Sequence, residues 1–155
     1  MKTRIDRYLS VGLTCLLMVM TTDVLWGVFT RYVLGAQAPW TEELARFLLI
    51  WIGLLGAAYA SGQGLHLSID LLPERLSGNR RRQLELLIRF FVLLFAVSVM
   101  VVGGCRLLYL TWALGQTSPA LRLPMWMVYS VLPLSGGLVT AYAWQDIRQF
   151  RRPAE

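Results

Sequence analysis

A handful of ionisable residues stand at spacings that could do chemistry. Asp23 lies inside a long apolar run, Glu42 and Glu43 are adjacent with Arg46 just beyond them, and His66 precedes Asp70 by four positions. Paired carboxylates such as Glu42 and Glu43 can divide general acid and general base work if a pocket and a second polar group converge on them. The sequence offers no such second group. Thr41 reads as a helix N-cap, and acids in a first turn suit the helix dipole. Glu42 and Arg46 are four apart and share a helix face. Capping and partner contact therefore account for Glu42, Glu43 and Arg46 better than catalysis does.

Asp23 poses a different problem. A carboxylate within an apolar crossing must face protein and find a partner, or carry its proton. It could serve as a coupling-ion or proton site. A structural pairing is the plainer reading, since no convergent polar groups accompany it, and Arg46 and Arg106 lie toward the same end of the bundle. His66 invites comparison with a haem ligand, but a haem-b anchor needs two axial ligands, commonly histidines on different helices. This chain has one histidine, so a hydrogen bond to Asp70 or to a neighbouring chain is expected instead. Cys15 and Cys105 both lie in apolar segments and form no disulfide framework. No metal or cofactor site is expected, and no enzymatic activity.

The elements that must position these residues are membrane helices. Hydrophobic residues make up 56% of the 155 residues and charged ones 15%, against about a quarter charged in an ordinary soluble domain. Crossing a hydrocarbon core of about 30 Å takes roughly 20 residues of helix. Runs of that kind extend over 9–33, 44–62, 84–114 and 125–144, giving an all-α, four-helix membrane domain over residues 1–155. The first run has a basic start but is too long for a cleaved signal peptide and lacks a small-x-small site. It is read as a retained helix. Gly103-Gly104 and Gly136-Gly137 allow close helix approach. Pro124 can start the fourth helix and Pro133 should kink it.

The formal charge of +6 follows topology rather than nucleic-acid binding, because the basic residues flank apolar runs and form no soluble face. Lys2, Arg4, Arg7, Arg75, Arg80, Arg81, Arg82, Arg148, Arg151 and Arg152 gather on one side. That asymmetry places both termini in the cytoplasm. Trp40, Tyr109, Trp112 and Trp126 then mark the outer interface. Ile69, Leu72 and Leu76, spaced by three and four with Pro73 near the start, suit a short helix lying in the headgroup plane between the second and third crossings. No internal repeat of the kind that builds complete secondary transporters is evident.

Two blocks of residues carry a resemblance. The first is Arg31-Tyr32, Pro39-Trp40-Thr41-Glu42-Glu43, Arg46, Trp51, Gly56, His66 and Asp70. The second is Ser118-Pro119-Ala120-Leu121, Leu123-Pro124-Met125-Trp126, Tyr129 and Leu132-Pro133. In this order and register with the crossings, the chain resembles the small membrane subunit, DctQ-like, of tripartite ATP-independent periplasmic (TRAP) transporters. The resemblance implies a bacterial inner-membrane protein that pairs with a large multi-helix subunit holding the sodium and substrate sites. It implies a periplasmic substrate-binding protein that delivers organic acids. It implies a non-catalytic scaffold in the lipid bilayer, with Arg31 and Trp40 at the rim that receives the binding protein. Asp23, Glu42, Glu43, Arg46, His66 and Asp70 are then assigned to structure and assembly. The competing readings are a membrane anchor subunit of a redox enzyme, disfavoured by the single His66, and a small membrane-embedded enzyme, disfavoured by the lack of a convergent polar site.

Overall fold

The computed structural model describes residues 2–36, 38–63 and 79–150. Among them every regular element is helical, apart from one isolated bridge between Thr117 and Pro124. Helix α1 spans Lys2–Val33 and α2 spans Pro39–Gly62. A long rod follows: α3 (Asn79–Phe95), a π-helical segment (Ala96–Gly103) and α4 (Gly104–Ala113). The last described elements are a short α5 (Met125–Tyr129) and α6 (Val131–Phe150).

Three of these helical stretches are long and apolar enough to cross a membrane, at Ile5–Val33, Pro39–Gly62 and Leu86–Ala113. The expected helix at 125–144 is interrupted at Ser130, and its second piece runs on into the polar residues after Trp144. The break sits three residues ahead of Pro133, where the kink was expected. Proline has no N–H to offer the carbonyl four residues before it, here Tyr129. Trp51 of α2 compensates nearby: its indole Nε1–H donates to the Val128 carbonyl at 3.1 Å. The starts shift outward, α1 beginning before Leu9, α2 at Pro39 rather than at Leu44 and α3 at Asn79, while α1 and α2 end at Val33 and Gly62 as expected. The proposed interfacial helix around Ile69–Leu76, together with His66 and Asp70, lies outside the described residues.

Small residues set the packing, as expected where lipid offers no hydrophobic drive between helices. The innermost cluster is Ala58, Ala96 and Val139, with Val92 and Leu138 against it, so α2, α3, the π segment and α6 meet there. A Cβ built on Gly136 would lie 2.6 Å from Met100 Cβ, and one on Gly104 would lie 3.1 Å from Pro133 Cδ. Gly62 lies under the ring of Tyr142, where a Cβ would meet ring carbons at 2.8 Å. Gly104 and Gly136 thus pack inside this chain, whereas nothing lies within 4 Å of a Cβ on Gly137. In the π segment, Ser98 Oγ donates to the Leu94 carbonyl at 2.6 Å, a competing bond of the kind that loosens a helical ladder.

Helix α1 leans on α2. Gly27 makes the closest approach, where a Cβ would sit 3.1 Å from Thr41 Oγ1. Much of the rest of α1 is uncovered, including Leu17, Met18, Leu25, Val28 and Phe29. A helix apolar on so much of its surface belongs in lipid or against another chain.

Candidate functional site

Parts of the two residue blocks that carry the resemblance meet at one end of the bundle, Glu43 from the first and Ala120 and Leu121 from the second. The meeting begins with the start of α2. Ala38 is extended and caps the helix without a side-chain bond, and Pro39 takes its first turn. Proline suits that position because its fixed φ is helical and its missing N–H has no partner there anyway. Thr41 is therefore not the N-cap: it lies inside the helix, its hydroxyl donating to the Ala38 carbonyl at 2.8 Å, and its side chain is buried against α1.

Two residues on, Glu43 reaches across to the bend between α4 and α5. One of its oxygens, Oε2, accepts the Ala120 N–H at 2.9 Å and the Leu121 N–H at 2.8 Å. The bend is itself tightly built. Ser118 N–H donates to the Leu123 carbonyl at 2.9 Å, Arg122 N–H to the Ser118 carbonyl at 3.1 Å, and Met125 N–H to the Gln116 carbonyl at 2.9 Å. The buried Ser118 hydroxyl accepts Leu123 N–H at 3.3 Å. Gly115 and Arg122 take the left-handed backbone conformation, at φ 58 and 53. The carboxylate supplies charge-assisted bonds to two peptide N–H groups that the turn leaves over.

The other expected residues that are described, Asp23, Arg31, Trp40, Glu42 and Arg46, lie toward the same end. Arg31 closes α1, exposed, with its guanidinium 6.0 Å from the Tyr32 ring centroid. A groove of about 290 Å³ is lined by Asp23, Gly27, Arg31, Tyr32, Thr41 and Glu42, among others. A second, about 510 Å³, is lined by Met18, Val19, Thr22, Asp23, Trp26, Trp40 and Leu44. Arg31 and Trp40 thus edge two different grooves that share Asp23. Glu42 joins Arg31 in the first. Arg46 is exposed one turn further along α2.

Asp23 is 5% exposed, and neither carboxylate oxygen has a hydrogen-bond partner among the described residues. The expected pairing with Arg46 or Arg106 is not formed, and both arginines are exposed.

The opposite end of the bundle holds a cluster that sequence reasoning missed. Tyr142 Oη donates to Asp6 Oδ1 at 2.7 Å, and Gln63 Nε2 lies 3.4 Å from Asp6 Oδ2. The start of α1, the end of α2 and the middle of α6 are thereby tied together. A lone acid in the basic N-terminal stretch and a tyrosine near the polar end of an apolar run were the available signals. Among the described residues, no three His, Cys, Asp or Glu side chains gather as a metal site, and Cys15 and Cys105 are free.

Residues 9–152 match the family of tripartite ATP-independent periplasmic transporters, DctQ component. The C4-dicarboxylate TRAP transporter small permease protein DctQ of Rhodobacter capsulatus is 35% identical over 121 residues, which is 78% of this chain and 53% of that protein. The isethionate TRAP transporter permease protein DctMQ of Oleidesulfovibrio alaskensis is 30% identical over 142 residues, 90% of this chain but 22% of that protein. The ectoine TRAP transporter small permease protein TeaB of Halomonas elongata is 30% identical over 138 residues, 89% of this chain and 70% of that protein. The chain spans about half the length of the Rhodobacter relative. A redox-enzyme anchor finds no counterpart among these relatives. With nearly its whole length matched, and with the two motif blocks joined through Glu43, this chain belongs to the DctQ component family of TRAP transporters.

Proposed function

We propose that this chain is the non-catalytic small membrane subunit of a sodium-coupled, binding-protein-dependent TRAP transporter for organic acids. In this reading it is a single four-crossing domain of the bacterial inner membrane with both termini cytoplasmic, and α5 with α6 makes the fourth crossing. It braces the large transport subunit and presents the end carrying Arg31 and Trp40 to the periplasmic binding protein.

The observation that carries the reading is the Glu43 clamp. It fixes the α4–α5 bend onto the start of α2, so one end of the bundle is a braced surface rather than a pair of loose connections. A braced rim suits a part that stays still while another chain moves. Support for a large partner comes from the Oleidesulfovibrio relative, in which the stretch like this chain is a minor part of one longer permease protein. Sodium and substrate sites are assigned to that partner. The relatives' names span a C4-dicarboxylate, isethionate and ectoine, so the choice of solute is placed outside this chain. His66 and Asp70 keep their proposed structural role beside the second crossing.

The test is reconstitution. The chain is co-expressed with the large membrane subunit, purified, placed in vesicles and supplied with binding protein and organic acid. Sodium-driven uptake that needs both membrane chains supports the reading. Uptake by the large subunit alone at an undiminished rate would overturn it.

A further inference from the structure

We propose that Asp23 accepts a hydrogen bond from a cationic side chain on a membrane helix of the large subunit, and that this helix lies in the groove lined by Met18, Val19, Trp26, Trp40 and Leu44. The inference rests on the assembly reading above and names the seam that the assembly uses.

Asp23 is buried, and both oxygens are without a hydrogen bond among the described residues. The hydroxyls nearest in sequence and along the α1–α2 seam are committed elsewhere. Thr22 donates to the Met18 carbonyl at 2.9 Å, Thr30 to the Gly27 carbonyl at 3.0 Å, and Thr41 to the Ala38 carbonyl at 2.8 Å. The indole N–H groups of Trp26 and Trp40, which line the same groove, do not reach it either, so the donor is assigned outside these two helices.

Depth narrows the source. Asp23 lies eight residues before Arg31 in the same helix, about 12 Å along its axis at 1.5 Å per residue. Lipid headgroups stay at the rim, and acyl chains carry no donor. The larger groove has almost wholly apolar walls and offers water few partners. A membrane helix supplies both things needed, an apolar face for the groove and a polar side chain at depth. Met18 and Trp26, 64% and 48% exposed, flank Asp23 and are uncovered enough to change rotamer as a helix settles. Charge selects the donor: an ionised carboxylate is best matched by arginine or lysine. The permease context selects the chain, since 90% of this sequence is matched within one longer permease protein.

The experiment uses the full chain co-expressed with the large subunit. Benzoylphenylalanine placed at Val19 is irradiated, and adducts are mapped by mass spectrometry. The expected adduct is with a membrane segment of the large subunit that carries Arg or Lys. Asp23→Leu should lower recovery of the complex about tenfold, with Asp23→Asn between. The isolated Asp23→Leu subunit should be at least as heat-stable as the unaltered one, since it loses an unsatisfied buried carboxylate. An intact complex whose Val19 adducts are only to lipid would overturn the proposal. So would unchanged recovery of Asp23→Leu, or an isolated Asp23→Leu subunit that unfolds more easily. Failure of the unaltered chain to co-purify with the large subunit would overturn the assembly reading itself.

Discussion

Glu43 at one end of the bundle and Asp6 at the other do related work. Each carboxylate bonds groups from elements far away in sequence: Glu43 takes the Ala120 and Leu121 N–H groups, and Asp6 meets Tyr142 and Gln63. Glu43→Ala removes two charge-assisted bonds at a partly exposed bend and should lower stability by roughly 0.5–1.5 kcal/mol. The same change should open residues 114–124 to protease in detergent. Glu43→Gln keeps an acceptor oxygen but loses the charge, so its melting temperature should fall between those of Ala and Glu. For Asp6→Asn and Tyr142→Phe, a double-mutant cycle should show coupling of roughly 1–2 kcal/mol. Additive effects would mean that the short contact contributes nothing. The sequence revealed that Glu42 and Glu43 open a helix near a rim, because dipole and spacing are local properties. It could not reveal which of them reaches the distant bend. That choice depends on how α2 is rotated against the loop, and rotation is set by packing between helices.

Helix existence and approximate extent were legible at the scale of elements, because twenty apolar residues in a row leave few alternatives. Ends and defects were less so. Pro39 started α2 earlier than the apolar pattern indicates, since proline tolerates the first turn that Leu44 does not mark. Pro133 signalled a disturbance, but the helix parts at Ser130, on the upstream side where the carbonyls lose donors. The π segment left no clear mark beyond Ser98 and the adjacent glycines. The Gly136-Gly137 pair shows what sequence cannot separate. Gly136→Ala would force a methyl against Met100 Cβ at 2.6 Å and should destabilise by about 1–3 kcal/mol. Gly137→Ala meets open space and should be neutral, or stabilising by up to about 1 kcal/mol. Thermal melts of the two variants in the same detergent decide the matter, and equal losses would mean that α6 is rotated from the orientation described.

For the whole molecule, the proposed topology predicts that a reporter fused at Glu155 gives a cytoplasmic signal and one inserted in residues 116–124 a periplasmic signal. The reverse pattern would turn the bundle over and remove the docking assignment with it. Arg31→Glu should slow uptake in the reconstituted system while the complex still elutes at its normal size, because rim charges act chiefly on encounter and specificity. Unchanged uptake would take Arg31 off the receiving surface. Family membership was legible from residues in order along the chain. The proposed seam for the partner was not, since Asp23 reads as half of an internal pair with Arg46 or Arg106, and neither reaches it.

The Glu43 bonds also bear on how the protein is made. Their two halves lie 77 and 78 residues apart in the chain. At a synthesis rate of about 5–20 residues per second, Glu43 waits roughly 4–15 s before Ala120 and Leu121 leave the ribosome. During that interval the carboxylate needs water or another temporary partner at the membrane face. Closure of the rim therefore follows the third helical rod, and the Tyr142–Asp6 bond at the other end, 136 residues apart in the chain, comes later still. A chain truncated before Ala120 keeps α1 and α2 but lacks the contact that records the arrival of the rest.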